Sequence, residues 1–87
     1  MDALDGNAIG GALHDVFGAE MTTVRGVCAH CGAIHQLAEQ HVYLRAPGIV
    51  VRCCDCAEVV MVLVEIRSVT CVDLRGLARM DLTAASR

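Results

Sequence analysis

The chain has 87 residues, 55% of them hydrophobic, with a mean hydropathy of +0.52 and a formal charge of −3. That length limits it to one domain with a marginal core, since a protein of this size buries only about 60% of the surface its unfolded chain exposes. The acidic balance counts against nucleic-acid binding, which needs a basic patch; all seven basic residues are arginines, scattered from Arg25 to Arg87. Phe17 and Tyr43 are the only aromatics, so the core has to be aliphatic. So much apolar surface on so small a chain points to self-association. Met1 to Asp5 carries acidic residues where a secretory signal would be basic. The longest apolar run, Val59 to Val64, is too short to span a bilayer. The expectation is a soluble, cytoplasmic protein with no membrane association. In that compartment cysteine pairs serve as metal ligands or reactive thiols more often than as disulfides.

In chain order, the first element reads as an amphipathic helix within residues 1–18. Ile9, Ala12, Leu13, Val16 and Phe17 form one apolar stripe at helical spacing. Asp5 or Asn7 can cap its start, and Gly18 suits a left-handed end. From Met21 the pattern changes to short strands: Met21 to Val27, Ile34 to Leu37, and His41 to Arg45, where Val42 and Leu44 alternate with His41, Tyr43 and Arg45. Ala46-Pro47-Gly48 reads as a type II turn, and Ile49 to Arg52 as the strand after it. Val59 to Ile66 is apolar on both faces except at Glu65, as a central strand or a strand in a dimer interface would be. Val69 to Leu74 is a further strand. The tail after Arg75, with Leu77, Met80 and Leu82, either adds an edge strand or stays loose.

The chemistry lies in Cys28-Ala29-His30-Cys31-Gly32 and Cys53-Cys54-Asp55-Cys56-Ala57. Two residues between cysteines let both thiolates of a pair reach one ion from a tight turn, with backbone amides aimed at the sulfurs. Two such turns supply four thiolates in a tetrahedron, the closed geometry of structural zinc. Pairing Cys54 with Cys56 would leave one intervening residue, so Cys53 is taken as the ligand and Cys54 as a free thiol. The metal ligands are thus Cys28, Cys31, Cys53 and Cys56, with one zinc per chain. Iron is the alternative, because the ligands alone do not separate the two. Cys71 is expected as an inert core residue. His30 is expected in solvent or hydrogen-bonded near the site, His14, His35 and His41 on the surface, and Asp55 as a solvated charge. A second site could join His35 or His41 to Cys54, but nothing in the spacing supports it.

The two cysteine turns flanked by strands resemble the zinc-ribbon and rubredoxin-like class of small metal-stabilised β domains, over roughly residues 21 to 75. The opening Asp2-Ala3-Leu4-Asp5-Gly6-Asn7-Ala8, the Cys-x2-Cys-Gly, Tyr43-Leu44-Arg45-Ala46-Pro47-Gly48 and Asp73-Leu74-Arg75-Gly76 resemble an uncharacterised bacterial family of short proteins with no assigned function. The resemblance implies antiparallel hairpins carrying two cysteine knuckles, preceded by one helix. Ala57 stands where a ribbon often has Gly, and Cys54 where such turns often carry Pro. The whole chain, 1–87, is then one domain: a helix over 1–18, a ribbon core over 21–75 and a tail over 76–87.

A four-thiolate zinc has no open position for water, and no catalytic constellation stands out, so the expected role is non-catalytic. The leading reading is an interaction module that binds an unknown protein partner or a second copy of itself. Rubredoxin-like electron transfer with iron, a nucleic-acid-binding zinc ribbon and a thiol switch built on Cys54 rank behind it.

Overall fold

The computed structural model describes residues 4–45 and 48–81. It opens with a two-residue strand, β1 (Leu4–Asp5), and a 3-10 turn, Gly6–Ile9, that runs into helix α1 (Gly10–Phe17). Asp5 sets the start: its carboxylate accepts from the Asn7 amide at 3.1 Å, a donor that the first turn leaves without a helical partner. Gly18 sets the end. At φ +74° it adopts the left-handed conformation, and its amide donates to the His14 carbonyl at 2.7 Å. The apolar stripe faces inward, with Ile9 and Leu13 buried and Ala12, Val16 and Phe17 packed beside them. The expected amphipathic helix therefore docks on its own domain.

The strands that follow are β2 (Arg25–Cys28), β3 (Ile34–Gln36), β4 (His41–Arg45), β5 (Gly48–Arg52), β6 (Val59–Ile66), β7 (Val69–Asp73) and β8 (Leu77–Asp81). They form a five-stranded sheet in the order β1-β4-β5-β6-β7 and a three-stranded sheet in the order β3-β2-β8. Every pairing is antiparallel. β6 lies inside the larger sheet, between β5 and β7, as its apolar residues on both faces predict. Val42, Val51, Met61 and Leu63 on one face of that sheet are buried in the same cluster as Ile9 and Leu13. By strand alternation Tyr43, Val50, Val62 and Val64 point the other way; they are half-buried.

Some boundaries differ from the sequence expectation. The strand expected from Met21 begins at Arg25, because Thr22 and Thr23 form a turn closed by the Val24 amide on the Met21 carbonyl at 3.1 Å. The strand expected to reach Leu37 stops at Gln36. There the Gln36 amide donates to the Glu39 carboxylate at 2.8 Å, and Leu37–Glu39 winds into a 3-10 turn. Of the two courses open to the tail it takes the edge strand: β8 pairs with β2 at the edge of the smaller sheet, and β7 is left at the edge of the larger one. Ala46 and Pro47 of the expected turn, and Leu82 of the tail, lie outside the described residues; the strands flanking that turn pair up to Arg45 and Gly48.

The crossing from β7 to β8 depends on Gly76. A Cβ there would collide with the Val59 carbonyl at the start of β6, so only glycine lets the chain pass this close. The Gly76 carbonyl then accepts from the Ala29 amide at 2.9 Å. Through that contact the connection holds the turn after β2 against the beginning of β6.

Candidate metal centre

Each cysteine pair sits in a hairpin turn, the first between β2 and β3, the second between β5 and β6. Both turns follow a break in strand register, at Val27/Cys28 in the β2–β8 pair and at Val51/Arg52 in the β5–β6 pair. Such bulges twist a strand and re-aim the side chains beyond them.

The two turns are built alike. The Cys28 amide donates to the Ala33 carbonyl and the Gly32 amide returns to the Cys28 carbonyl, both at 2.9 Å. In the second turn the Cys53 amide donates to Glu58 and the Ala57 amide to Cys53, again both at 2.9 Å. The amide two residues on reaches each leading sulfur, His30 to Cys28 Sγ and Asp55 to Cys53 Sγ, at 3.4 Å in both cases. Gly32 and Ala57 hold the equivalent positive φ values of +78° and +67°. Ala57 thus takes the glycine conformation with a Cβ, which costs an L-residue roughly 1 kcal/mol. Arg52 braces this second turn: its Nη1 donates to the Ala57 carbonyl at 2.9 Å while its guanidinium lies 5.9 Å from the Tyr43 ring centroid.

The facing turns bring the four expected sulfurs together, all within 4.8 Å of one another. Cys28 Sγ lies 3.7 Å from Cys56 Sγ, and Cys31 Sγ lies 3.8 Å from Cys53 Sγ. A tetrahedron of metal–sulfur bonds near 2.3 Å has edges of about 3.8 Å. A disulfide would need about 2.05 Å, and all six cysteines are free thiols. Cys28 and Cys53 are buried, Cys56 is half-buried and Cys31 is exposed, so the cluster has a dry inner side and a solvent side.

The electrostatics fit a cation. Burial pushes the Cys28 thiol up, but the Cys31 and His30 amides and the neighbouring Cys56 and Cys31 thiols outweigh it and bring it down to about 7. The Glu58 amide draws Cys56 down, yet burial and the sulfurs of Cys28, Cys31 and Cys53 override it and push Cys56 up to about 12. The fold thus favours the thiolate of Cys28 and resists that of Cys56, because like charges at this spacing repel. A divalent ion at the centre removes that conflict, and coordination deprotonates thiols outright. The four residues could hold a metal ion.

Other expectations changed. Cys71 is exposed, not a core residue: it lies on the edge strand β7 opposite Val64, on the sheet face that α1 does not cover. Asp55 is not merely a solvated charge. Its Oδ2 lies 2.9 Å from His35 Nε2, and Glu39 Oε1 lies 3.3 Å from His35 Nδ1. The hydrogen bond to Asp55 raises the His35 pKa against burial, with the charges of Asp55 and Glu39 adding to it. Cys54, placed by sequence as a spare thiol, joins His35 and Asp55 within 4.8 Å. Burial pushes the Cys54 thiol up, with the Asp55 charge adding to it. Its amide donates to Gln40 Oε1 at 3.0 Å, and Gln40 is the one buried polar side chain among the described residues. His30 is exposed as expected, and so are His14 and His41, while His35 is half-buried.

Nothing in the sequence spacing marks His35, Glu39 or Gln40 as neighbours of the second turn. The Gln36-x-x-Glu39 spacing was the local signal that Glu39 would be held in place.

None of the described helices is long and apolar enough to cross a membrane. No curated protein and no solved structure gives a significant match to the chain. Residues 1–85 match the model of a family of unknown function, DUF6510, and with nearly its whole length covered this small β-rich chain with its four-cysteine cluster belongs to that family.

Proposed function

We propose that the chain is a non-catalytic zinc-binding domain in which Cys28, Cys31, Cys53 and Cys56 hold one structural zinc, and that it acts by associating with itself or with a protein partner. The observation that carries the metal reading is the sulfur geometry: two contacts of 3.7 and 3.8 Å across two turns with matching hydrogen bonds. When bound, the zinc supplies cross-linking of the two hairpins, and so of the two sheets. A complete thiolate set leaves no position to activate water, which supports a structural role. Structural zinc sites contribute roughly 10–16 kcal/mol in small domains, comparable to the whole stability of such a fold.

The association reading rests on the face of the larger sheet opposite α1, which no described helix covers. Tyr43, Val50 and Val62 lie in register across three strands. The row continues through the pairs Val64–Cys71 and Ile66–Val69. Ile66 and Val69 are 54% and 61% exposed, which is unusual for aliphatic side chains in adjacent strands.

Elemental analysis of the purified protein tests the first part. About one zinc per chain supports it, one iron redirects the reading to rubredoxin-like electron transfer, and no metal sinks it. Sedimentation tests the second part. A concentration-dependent mass approaching twice 9.2 kDa that reverts to monomer in Val69→Lys supports self-association through this face. A strict monomer leaves only the heterologous partner.

A further inference from the structure

We propose that His35, Cys54 and Asp55 form a second, exchangeable transition-metal site, separate from the four-thiol centre and positioned by Glu39 and Gln40. The three donors are of three kinds: an imidazole nitrogen, a thiol sulfur and a carboxylate oxygen. All lie within 4.8 Å of one another, a set that suits borderline divalent ions such as zinc, cobalt or nickel. None of the three serves the four-thiol centre with its side chain.

Each donor is held independently. Cys54 is fixed by its amide on Gln40 Oε1, and Gln40 is only 1% exposed. Asp55 is fixed by the knuckle itself, through its amide on Cys53 Sγ. The imidazole is oriented from its far side. Glu39 Oε1 stands 3.3 Å from Nδ1, and Glu39 is itself held by the Gln36 amide at 2.8 Å. A carboxylate on the far nitrogen is the usual partner of a metal-bound histidine, because it sets the tautomer and presents the other nitrogen to the ion.

That other nitrogen, His35 Nε2, lies 2.9 Å from Asp55 Oδ2. Two donors this far apart share an ion at bonds of about 2.1 Å with an angle close to 90°. The ordinary alternative is a surface ion pair between His35 and Asp55. It accounts for one contact but not for the thiol beside it or the second carboxylate behind the ring. Three protein donors leave coordination positions for water, and Asp55 is exposed, so an ion here exchanges where one at the four-thiol centre is locked.

The test starts from protein carrying one zinc per chain, in a Cys71→Ser background that removes the exposed spare thiol. Cobalt(II) is titrated in, with absorption and metal content followed together. The expected result is one further equivalent with a thiolate-to-cobalt band and unchanged zinc. In His35→Ala and Cys54→Ser that equivalent binds more than 10-fold more weakly, and Cys54→Ser also loses the band. Glu39→Gln leaves every donor in place and so stands should a donor substitution disturb the fold; loss of the carboxylate charge behind the ring weakens the second equivalent roughly 10-fold. Three results overturn the proposal: no second equivalent, cobalt uptake matched by zinc release, or a second equivalent unaffected by these substitutions. Failure of the four-thiol reading is distinct, since it appears as absence of the starting zinc.

Discussion

The side-chain oxygen of Gln40 accepts a hydrogen bond from the backbone amide of Cys54 at 3.0 Å, tying the end of the Leu37–Glu39 turn to the middle of the second cysteine knuckle. Leucine at position 40 would fill the same buried space and leave that amide without its partner. A buried donor stranded in this way costs about 1–3 kcal/mol. Thermal unfolding of metal-loaded Gln40→Leu should show a loss of that order, together with faster transfer of metal to a chelator. Unchanged stability and transfer would mean that water replaces Gln40 without penalty.

Gly32 and Ala57 make a matched pair of experiments, because both hold positive φ at the same place in their turns. A Cβ on Gly32 meets nothing within 4 Å, so Gly32→Ala reports backbone strain alone. It should destabilise by roughly 1 kcal/mol, and Ala57→Gly should stabilise by a similar or somewhat smaller amount, as the flexible glycine also loosens the unfolded chain. Denaturant midpoints of the two variants should move in opposite directions. A shift of both to lower denaturant would contradict the conformational assignment of Ala57.

Gly76 is a different case, since its constraint is space. Gly76→Ala drives a methyl group into the Val59 backbone, and such overpacking costs about 1–3 kcal/mol or more. The same displacement breaks the Ala29 contact that holds the first knuckle, so metal affinity should fall along with stability. A variant with wild-type stability and metal binding would show that the β7–β8 connection does not position the site.

Metal removal should unfold the protein. Without the ion nothing bridges the four sulfurs of the two knuckles, and a chain this short has a marginal core. Chelation should abolish the β-sheet circular dichroism, and readdition of zinc should restore it. Cys28→Ser and Cys53→Ser, at the two buried ligands, should be more damaging than Cys31→Ser at the exposed one. Retention of the full sheet signal without metal would assign the stability to the aliphatic core instead.

Asp73 provides a readout away from the metal. The Arg75 guanidinium, 2.7 Å from its carboxylate, and the Arg75 amide hold its pKa down at about 2. A folded value below the unfolded one of about 3.9 means that the pair favours the fold above pH 4 and stops doing so as pH falls through the folded value. Carboxyl carbon shifts followed from pH 7 to about pH 4.5 should show Asp73 still ionised in the wild type, and beginning to protonate in Arg75→Ala as it returns to the ordinary aspartate range. Superimposable titrations would dissolve the pair. Both groups are solvent-exposed, so the effect on overall stability should be small.

Local pattern carried much of this protein. The stripe from Ile9 to Phe17 and the flanking Asp5 and Gly18 announce α1, since capping and helical spacing are short-range properties. Val59–Ile66 reads as a central strand from its apolar residues on both faces and its β-branched content. The C-x2-C spacing also identified which four cysteines would meet and set Cys54 aside, because the reach of a two-residue turn is a local geometric fact.

What the local pattern lacked was anything set by a distant partner. Cys71 has the same strand neighbours in sequence whether β7 is an edge or an interior strand. It is exposed because it lies on an edge strand, on the sheet face that α1 does not cover. His35 and Asp55 are 20 residues apart and meet at 2.9 Å only because their two hairpins face each other across the four sulfurs. Residue type, spacing and turn chemistry determined the elements and the candidate ligands. The tertiary structure decided which face stays open and which polar groups gather beside the knuckles, because those depend on backbone approach and sheet order, which no window of sequence contains.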